Sequence, residues 1–276
     1  TAKFYYDGLD RTTRVETPDS DAPGGYAVTT TSYGFGGLTG IGDNLFVTTV
    51  VDPEGSLASG AGGRGTKISY KDVRDRIHAV VEYNKIQDPK TNQVISAEIK
   101  TTYDYDAIGQ IKTVKDAKGN LTTITYDKLG RRLTIENPDT GKTSYGYDGN
   151  GNVVTKETAE LKKGAKKITY TYDYNRLKEI NYPDSAHVVY TYGNKDEAGG
   201  DKNLAGRIKT VTDESGDEER EYGKLGETVK ERRRVNAFNN PVARTWYETQ
   251  YVFDSFGRMQ QMTYPDGEVL TYEYDG

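Results

Sequence analysis

The chain has 276 residues, a formal net charge of −5 with acids and bases interspersed, and no cysteine. That excludes disulfides, thiolate nucleophiles and Cys-ligated zinc, and it gives no electrostatic case for a nucleic acid or an anionic membrane as partner. Apolar residues make up only 34%, yet there are 23 Tyr against 6 Phe and 1 Trp. A disordered chain is poor in aromatics, so an ordered protein with a tyrosine-built core is expected. No apolar run reaches the ~18 residues of a membrane span, no signal peptide is visible, and no cofactor motif is present.

The chain is organised by repetition, which takes precedence over any local reading. A unit headed by an aromatic residue and Asp begins at Tyr6-Asp7 and returns in degenerate form at Tyr33 and Tyr70. Residues 1–104 hold these less regular copies. Residues 105–276 hold clearer ones, headed at Tyr105, Tyr126, Tyr147, Tyr172, Tyr192, Tyr222 and Phe253, with another opening at Tyr274. Tyr105, Tyr126 and Tyr147 stand 21 residues apart, the basic period. Surplus residues fall in polar stretches around Asp88 to Asn92 and Glu160 to Lys167, read as loop tips. The repetition predicts one continuous array over 1–276, because each repeat packs mainly on its neighbours. The chain opens on Thr1 and stops as a new Tyr-Asp begins, which reads as a segment of a longer array.

Within one repeat the chemistry is that of two strands and two turns. Tyr103/Tyr105, Tyr145/Tyr147, Tyr170/Tyr172, Tyr190/Tyr192 and Tyr272/Tyr274 are pairs two residues apart, set among Thr, Ile and Val. Such spacing places both rings on one face of a strand, and β-branched neighbours favour a pleated surface. The head turn follows: Asp106 with Gly109, Asp127 with Gly130 and Arg131, Asp148 with Gly151, Asp173 with Arg176, Gly206 with Arg207, Asp254 with Gly257 and Arg258. Asp can bond its own backbone and Gly supplies positive φ. A second strand carries an apolar residue five after the Gly, at Val114, Ile135, Val211 and Met262. A second turn closes it, as in Asn137-Pro-Asp-Thr-Gly141, Tyr182-Pro-Asp184 and Tyr264-Pro-Asp-Gly267, with Pro preset for the turn. A lone hairpin is marginal, so the copies are expected to pair edge to edge in an all-β, curving antiparallel sheet. Helix is the competing reading for Asp72 to Lys85 and for the charged run Lys209 to Val235. Gly216, Gly223 and Gly226 interrupt the second, and both keep the repeat register, so strands are preferred.

Candidate chemistry is sparse. His78 and His187 lie in no catalytic or metal motif and are read as structural. Asp148, Asn150 and Asn152 resemble the first three ligand positions of a calcium loop, but the following Gly and distal Glu are missing, so a turn is the preferred reading. Gly34 to Gly37 and Gly60 to Gly65 lack the Lys-Ser/Thr of a phosphate loop and read as flexible loops. A glycan, if bound, is expected at Trp246 and Tyr247, between repeat heads, rather than on the tyrosine ladder.

The unit Tyr-Asp-x-x-Gly-Arg, an apolar strand, a Pro-Asp-x-Gly turn and Tyr-x-Tyr-Asp resembles the YD repeat of RHS-repeat proteins. The resemblance spans nearly all of the chain, and Tyr6-Asp-Gly-Leu-Asp-Arg11 shares it with Asp10 where Gly is usual. Further departures are Gln110 and Asn152 at the Arg position, and Gly193 and Gly223 in place of Asp. The resemblance implies a spiral of hairpins that closes at full length into a hollow shell around a toxic polypeptide in bacterial toxin complexes and secreted effectors. Animal teneurins use a similar barrel at the cell surface. From it follow the expectations of a non-enzymatic shell segment, bacterial and secreted or at the cell surface, with a cargo polypeptide or neighbouring repeats as partner. The alternative is an adhesive module for glycan or protein. The aspartic-protease-like core of such proteins is not found here, and Val51-Asp-Pro-Glu-Gly55, which resembles its signature, is read as a turn. Exposed sheet edges make self-association a hazard.

Overall fold

The computed structural model describes residues 1–20, 22, 24–53, 65–87, 94–194, 203–236 and 245–275. The Asp88–Asn92 loop, most of the Gly60–Gly65 stretch, and Glu54 and Gly55 of the Val51 turn lie outside the described residues. The protein is all-β and divides into two compact units, Thr1–Lys142 and Thr143–Gly276.

The first unit contains β1 (Lys3–Tyr6), β2 (Thr12–Pro18), β3 (Tyr26–Leu38), β4 (Gly42–Val51), β5 (Thr66–Lys71), β6 (Ile77–Gln87), β7 (Val94–Tyr105), β8 (Ile111–Lys115), β9 (Leu121–Tyr126) and β10 (Arg132–Asn137). Each strand pairs antiparallel with the next. The second unit takes in β11 (Gly141–Tyr147), β12 (Val153–Glu157), β13 (Ile168–Asp173), β14 (Arg176–Asn181), β15 (Val188–Tyr192), β16 (Ile208–Asp213), β17 (Gly216–Tyr222), β18 (Thr228–Val235), β19 (Trp246–Phe253), β20 (Met259–Thr263) and β21 (Val269–Thr271), again an antiparallel meander. In a meander, all odd-to-even turns share one rim of the sheet and all even-to-odd turns share the other. The head turns therefore line up along a single rim in each unit.

Both stretches that compete as helices are strands. Asp72 to Lys85 supplies a head turn and most of β6, and Lys209 to Val235 supplies β16, β17 and β18. A short helix, α1 (Ala159–Lys163), sits in the insertion read as a plain loop. Thr158 caps it by accepting from the Leu161 N–H at 3.3 Å, Glu160 lies in its first turn and Lys162 and Lys163 in its last. Those are the signs that complement a helix dipole, and a local cap suffices for one turn. Among the described residues no helix is long and apolar enough to cross a membrane.

Among the described residues the substantial contacts between strands are those of chain neighbours, so each unit is a single-layered sheet. Among the described residues few are buried: Glu16, Leu45, Ala79 and Val81 in the first unit, Gly193, Leu204, Gly216 and Tyr222 in the second. Apolar burial is therefore spread thinly, and polar fastenings carry an unusual share of the repeat-to-repeat adhesion.

Candidate functional site

The recurring site is the head turn and the tyrosine that follows it. In the head from Asp127 to Arg131, the Asp127 N–H donates to the Arg131 carbonyl at 2.9 Å and the Gly130 N–H to the Asp127 carbonyl at 3.0 Å. This is a three-residue hairpin loop with Gly in the left-handed region, φ +79. Asp127 Oδ1 accepts the N–H groups of Leu129 and Arg131, each at 2.9 Å, and Oδ2 accepts Arg131 Nε at 2.7 Å. The same set recurs at Asp7 with Arg11 and Asp254 with Arg258, and at Asp148 with the Asn152 amide as the Oδ2 donor; Asp106 keeps the two backbone N–H donors alone, from Ile108 and Gln110. The left-handed position holds Gly109, Gly151, Gly206 and Gly257, and at Asp10 a non-glycine residue with φ +58. The register of the ladder slips beside each head, between Tyr5 and Tyr6 and between Thr171 and Tyr172, for example.

Each following tyrosine closes back on the repeat before it. Tyr33, Tyr105, Tyr126, Tyr172, Tyr192, Tyr222 and Tyr274 donate their phenol O–H to the carbonyls of Thr12, Ile77, Ile111, Val153, Leu177, Ile208 and Met259, at 2.6 to 3.0 Å. Every acceptor is the first residue after the Arg position of a preceding head. The guanidinium of that head also lies over the same ring: Arg11 over Tyr33 at 4.3 Å, Arg76 over Tyr105 at 4.9 Å, Arg176 over Tyr192 at 4.7 Å, Arg207 over Tyr222 at 5.4 Å and Arg258 over Tyr274 at 4.8 Å. Where Gln110 replaces Arg, its amide instead donates to the Gly130 carbonyl of the next head at 2.8 Å. Asn152 likewise reaches Asn175 at 3.0 Å. One arginine thus holds its own Asp by charge and the next Tyr by its π-face.

The electrostatics follow this wiring. A side-chain hydrogen bond from Arg11 holds Asp7 below the usual carboxylate range, and one from Asn152 does so for Asp148. Backbone N–H donation, with the guanidinium behind it, does the same for Asp127 and Asp254. At Asp72 burial pushes upward, but hydrogen bonds from Arg76 and His78 outweigh it and leave the carboxyl well below its ordinary value. Burial raises the phenols of Tyr105, Tyr172 and Tyr192.

Several sequence-based placements shift. The head expected at Tyr70 stands one residue later, at Lys71-Asp72, with Asp75 in the left-handed position at φ +61 and Arg76 at the Arg position. The spacing Asp72-x-x-x-Arg76, the same as Asp127 to Arg131, is the signal that locates it. Tyr33 fastens to Thr12 as a head tyrosine does, but no head turn follows, because β3 continues to Leu38. The head at Tyr192 is interrupted by an insertion. Gly193 donates to the Arg207 carbonyl and Gly206 to the Gly193 carbonyl, so the turn closes across it. At the two heads without Asp, another side chain fills its place. A Cβ on Gly223 would fall 1.9 Å from Glu227 Oε1, and one on Gly193 would fall 2.3 Å from Leu204 Cβ. The head at Asp173 is one residue shorter, with Tyr174 and Asn175 both at positive φ and Arg176 paired to Asp173 at 2.6 Å. Asp116 to Asn120, on the opposite rim, repeats the head geometry.

Tyr6 and Asp7 form the first head, Tyr147 ends β11 and Tyr272 lies just beyond β21. Asp148, Asn150 and Asn152 make an ordinary head: both carboxylate oxygens are taken up by turn N–H groups and the Asn152 amide, and Asn150 contributes its backbone N–H. Among the described residues no group of three or more His, Asp or Glu is placed to hold a metal. His78 pairs with Asp72 at 3.0 Å and meets the Tyr105 ring edge-on; His187 pairs with Glu179 at 2.9 Å. Trp246 lies beneath Arg234 at 4.7 Å, and Tyr247 is about half exposed. These two do not share a face, since they are consecutive in β19.

The comparisons follow this geometry. The family model described as teneurin YD-shell matches residues 71–276. No curated protein sequence matches the chain. Among solved structures, the chain is similar to the crystal structure of TcdB2-TccC3, with a TM-score of 0.67, 18% identity, and coverage of 99% of this chain and 14% of that one. The crystal structure of TcdB2-TccC3-Cdc42 gives a TM-score of 0.65 at 19% identity, again covering 99% and 14%. The Photorhabdus luminescens Tc holotoxin pore with mutation TccC3-D651A gives 0.64 at 18% identity with the same coverage. The chain thus spans about one-seventh of the length of these structures, and the likeness is one of fold. With most of its length matched, this chain belongs to the teneurin YD-shell family of RHS/YD-repeat proteins, and its role is that of a structural shell segment.

Proposed function

We propose that this chain is wall material: a segment of a longer RHS/YD array that encloses a cargo polypeptide and has no enzymatic activity of its own. The observation that carries this reading is the disposition of the polar chemistry. Head carboxylates accept turn N–H groups and, at Asp7, Asp127 and Asp254, the Arg of the same head, and seven tyrosine hydroxyls donate to backbone carbonyls of a preceding repeat, with five of those rings under its guanidinium. They do not converge on a reacting atom, which is the arrangement catalysis needs. A wall needs what they do supply, namely fastening of each repeat to the next where a single-layered sheet buries little apolar area. The enclosure acts by steric separation, keeping a toxin or effector from the cell that makes it. On this reading the parent protein acts outside the cell or on a bacterial surface, with the cargo and the adjoining repeats as its partners.

The test is protease protection of the longer polypeptide that contains this array. Native protein treated with a broad-specificity protease is expected to retain an intact fragment from outside the array, which becomes digestible only after the shell is opened by denaturant. Complete digestion of everything beyond the array under native conditions would remove the enclosure reading.

A further inference from the structure

We propose that Asn150 is a site of spontaneous deamidation, through a succinimide formed with Gly151, and that the change loosens the head from Asp148 to Asn152. Asn150 is the only asparagine in the chain followed by glycine. Elsewhere the next residue carries a side chain that crowds its backbone nitrogen, as Leu45 does after Asn44 and Val153 after Asn152, or has no N–H at all, as Pro138 after Asn137. The fold puts the Asn150-Gly151 pair at a hairpin tip, where Gly149, Asn150 and Gly151 are all exposed. Gly151 takes φ +91, and a Cβ built on Gly149 or Gly151 meets no atom within 4 Å, so no described residue packs over the bond. A glycine on each side gives this tip more backbone freedom than the heads that carry Lys128-Leu129 or Ser255-Phe256. The turn uses only the backbone N–H of Asn150, which donates to Asp148 Oδ1 at 2.9 Å; the side-chain amide bonds to no described residue.

The reaction needs water and hydroxide alone. Hydroxide removes the Gly151 amide proton, and the nitrogen attacks Cγ of Asn150. The N–Cγ bond forms and the Cγ–NH2 bond breaks; the leaving nitrogen takes a proton from water, departs as ammonia and restores the hydroxide. Water then adds to one of the two imide carbonyls. The ring opens to an aspartyl residue or, with the main chain rerouted through the side chain, to an isoaspartyl one. The attacking N–H gives up one bond, to the Asp148 carbonyl at 3.2 Å. The adjacent Asp148-Gly149 pair shows the contrast. Both oxygens of Asp148 are held, and the hydrogen bond from the Asn152 amide keeps its carboxyl below the usual range, ionised and a poor electrophile. The consequence follows from the same head. Its fifth residue is Asn152, where other heads have Arg11, Arg131 or Arg258, so a new carboxylate at position 150 stands beside Asp148 with no guanidinium in its own head to answer it. The isoaspartyl form also lengthens a three-residue loop by one methylene. Both changes weaken the closure of Asp148 on Asn152 and, through the Asn152 amide, the 3.0 Å bond to Asn175 that ties this head to the next. The inference does not rest on the enclosure reading.

The test is peptide-mapping mass spectrometry of the whole 276-residue chain, folded and in urea, over a time course at neutral pH. In the folded chain the amide-to-acid mass gain is expected at position 150, about tenfold or more faster than at Asn44, which is also exposed but precedes Leu45. An isoaspartyl methyltransferase with its methyl donor should label the aged chain and not the fresh one. Asn150→Gln, whose longer side chain would have to close a larger ring, should abolish both signals and leave the turn intact, since the head uses only the backbone of that residue. In the aged form, separated by ion exchange, the amides of residues 150–152 should exchange with deuterium about tenfold faster than in the fresh chain. An Asn150 that stays intact in the folded chain while losing its amide in urea overturns the proposal, because the turn then shields the bond. So does a rate no greater than that of Asn44, a mass gain in the same peptide that persists in Asn150→Gln, or deuterium exchange that the modification leaves unchanged.

Discussion

The head turns of β13 to β20 and the stretch β3 to β5 use the same residue types to opposite ends. In the first, Tyr172, Tyr192, Tyr222 and Tyr274 spend their hydroxyls on carbonyls of the preceding repeat, and glycines stand where φ is positive. In the second, Tyr33 still fastens to Thr12, but Tyr70 is displaced from the head and Gly34 has no turn to make. The strands differ too: β3 and β4 run to 13 and 10 residues, against 5 to 8 for β13 to β20. Regular repeats close on themselves and leave little chemistry available. A departure from the repeat sets groups free.

Glycine substitutions break this comparison most sharply. Gly216→Val, with φ +149 and a built Cβ only 1.7 Å from the Arg234 carbonyl oxygen, should force β17 and β18 apart at a cost of about 3 kcal/mol, read from urea unfolding. Gly130→Val, in a head turn at φ +79, should cost about 2 kcal/mol by placing a β-branched residue in the left-handed region. Gly34→Val should lie on the other side of zero, neutral or stabilising by about 0.5 kcal/mol. If Gly34→Val destabilises as Gly130→Val does, the distinction between structural and vacant glycines fails. The fastening itself is tested next: Tyr105→Phe removes a 2.7 Å bond to the Ile77 carbonyl and should cost about 1 kcal/mol, whereas Tyr70→Phe should cost nothing measurable.

The smallest expected effect is that of pH. The head carboxylates of Asp7, Asp127, Asp148 and Asp254 are depressed in the folded chain, so their contribution is complete above their unfolded value near ~4 and is lost as pH falls through the lower folded values. The melting temperature should be flat from neutrality down to about pH 5 and decline below about pH 4. Replacing Asp127 by Asn should soften that decline, since the amide cannot titrate.

Much of this was legible in the sequence, for a physical reason. Tyr-x-Tyr spacing, a turn Asp and a left-handed Gly each report local geometry, so the hairpins and the heads at Asp106, Asp127 and Asp254 could be placed directly. The head at Asp72 was misread by one residue, because Lys71 stands where Tyr was expected and Asp75 takes the place of Gly; only the Asp-to-Arg spacing survives there. The closure of the Tyr192 head across its insertion was not legible, since it depends on bonds between Gly193 and Arg207 that no local pattern announces. The strand character of Gly34 and Gly36 was hidden for the opposite reason. Gly34 to Gly37 suggested a loop, and only the ladder with β4 shows that Gly34 and Gly36 are strand residues facing one way.

The fastening of each tyrosine also has a direction in time. Its acceptor carbonyl always lies earlier in the chain, by 14 residues at Tyr222 and by 28 at Tyr105. As the polypeptide leaves the ribosome at about 5–20 residues per second, each new phenol therefore meets a partner already made, within about one to six seconds. The wall can be laid course by course in the order of translation, without waiting for its far end.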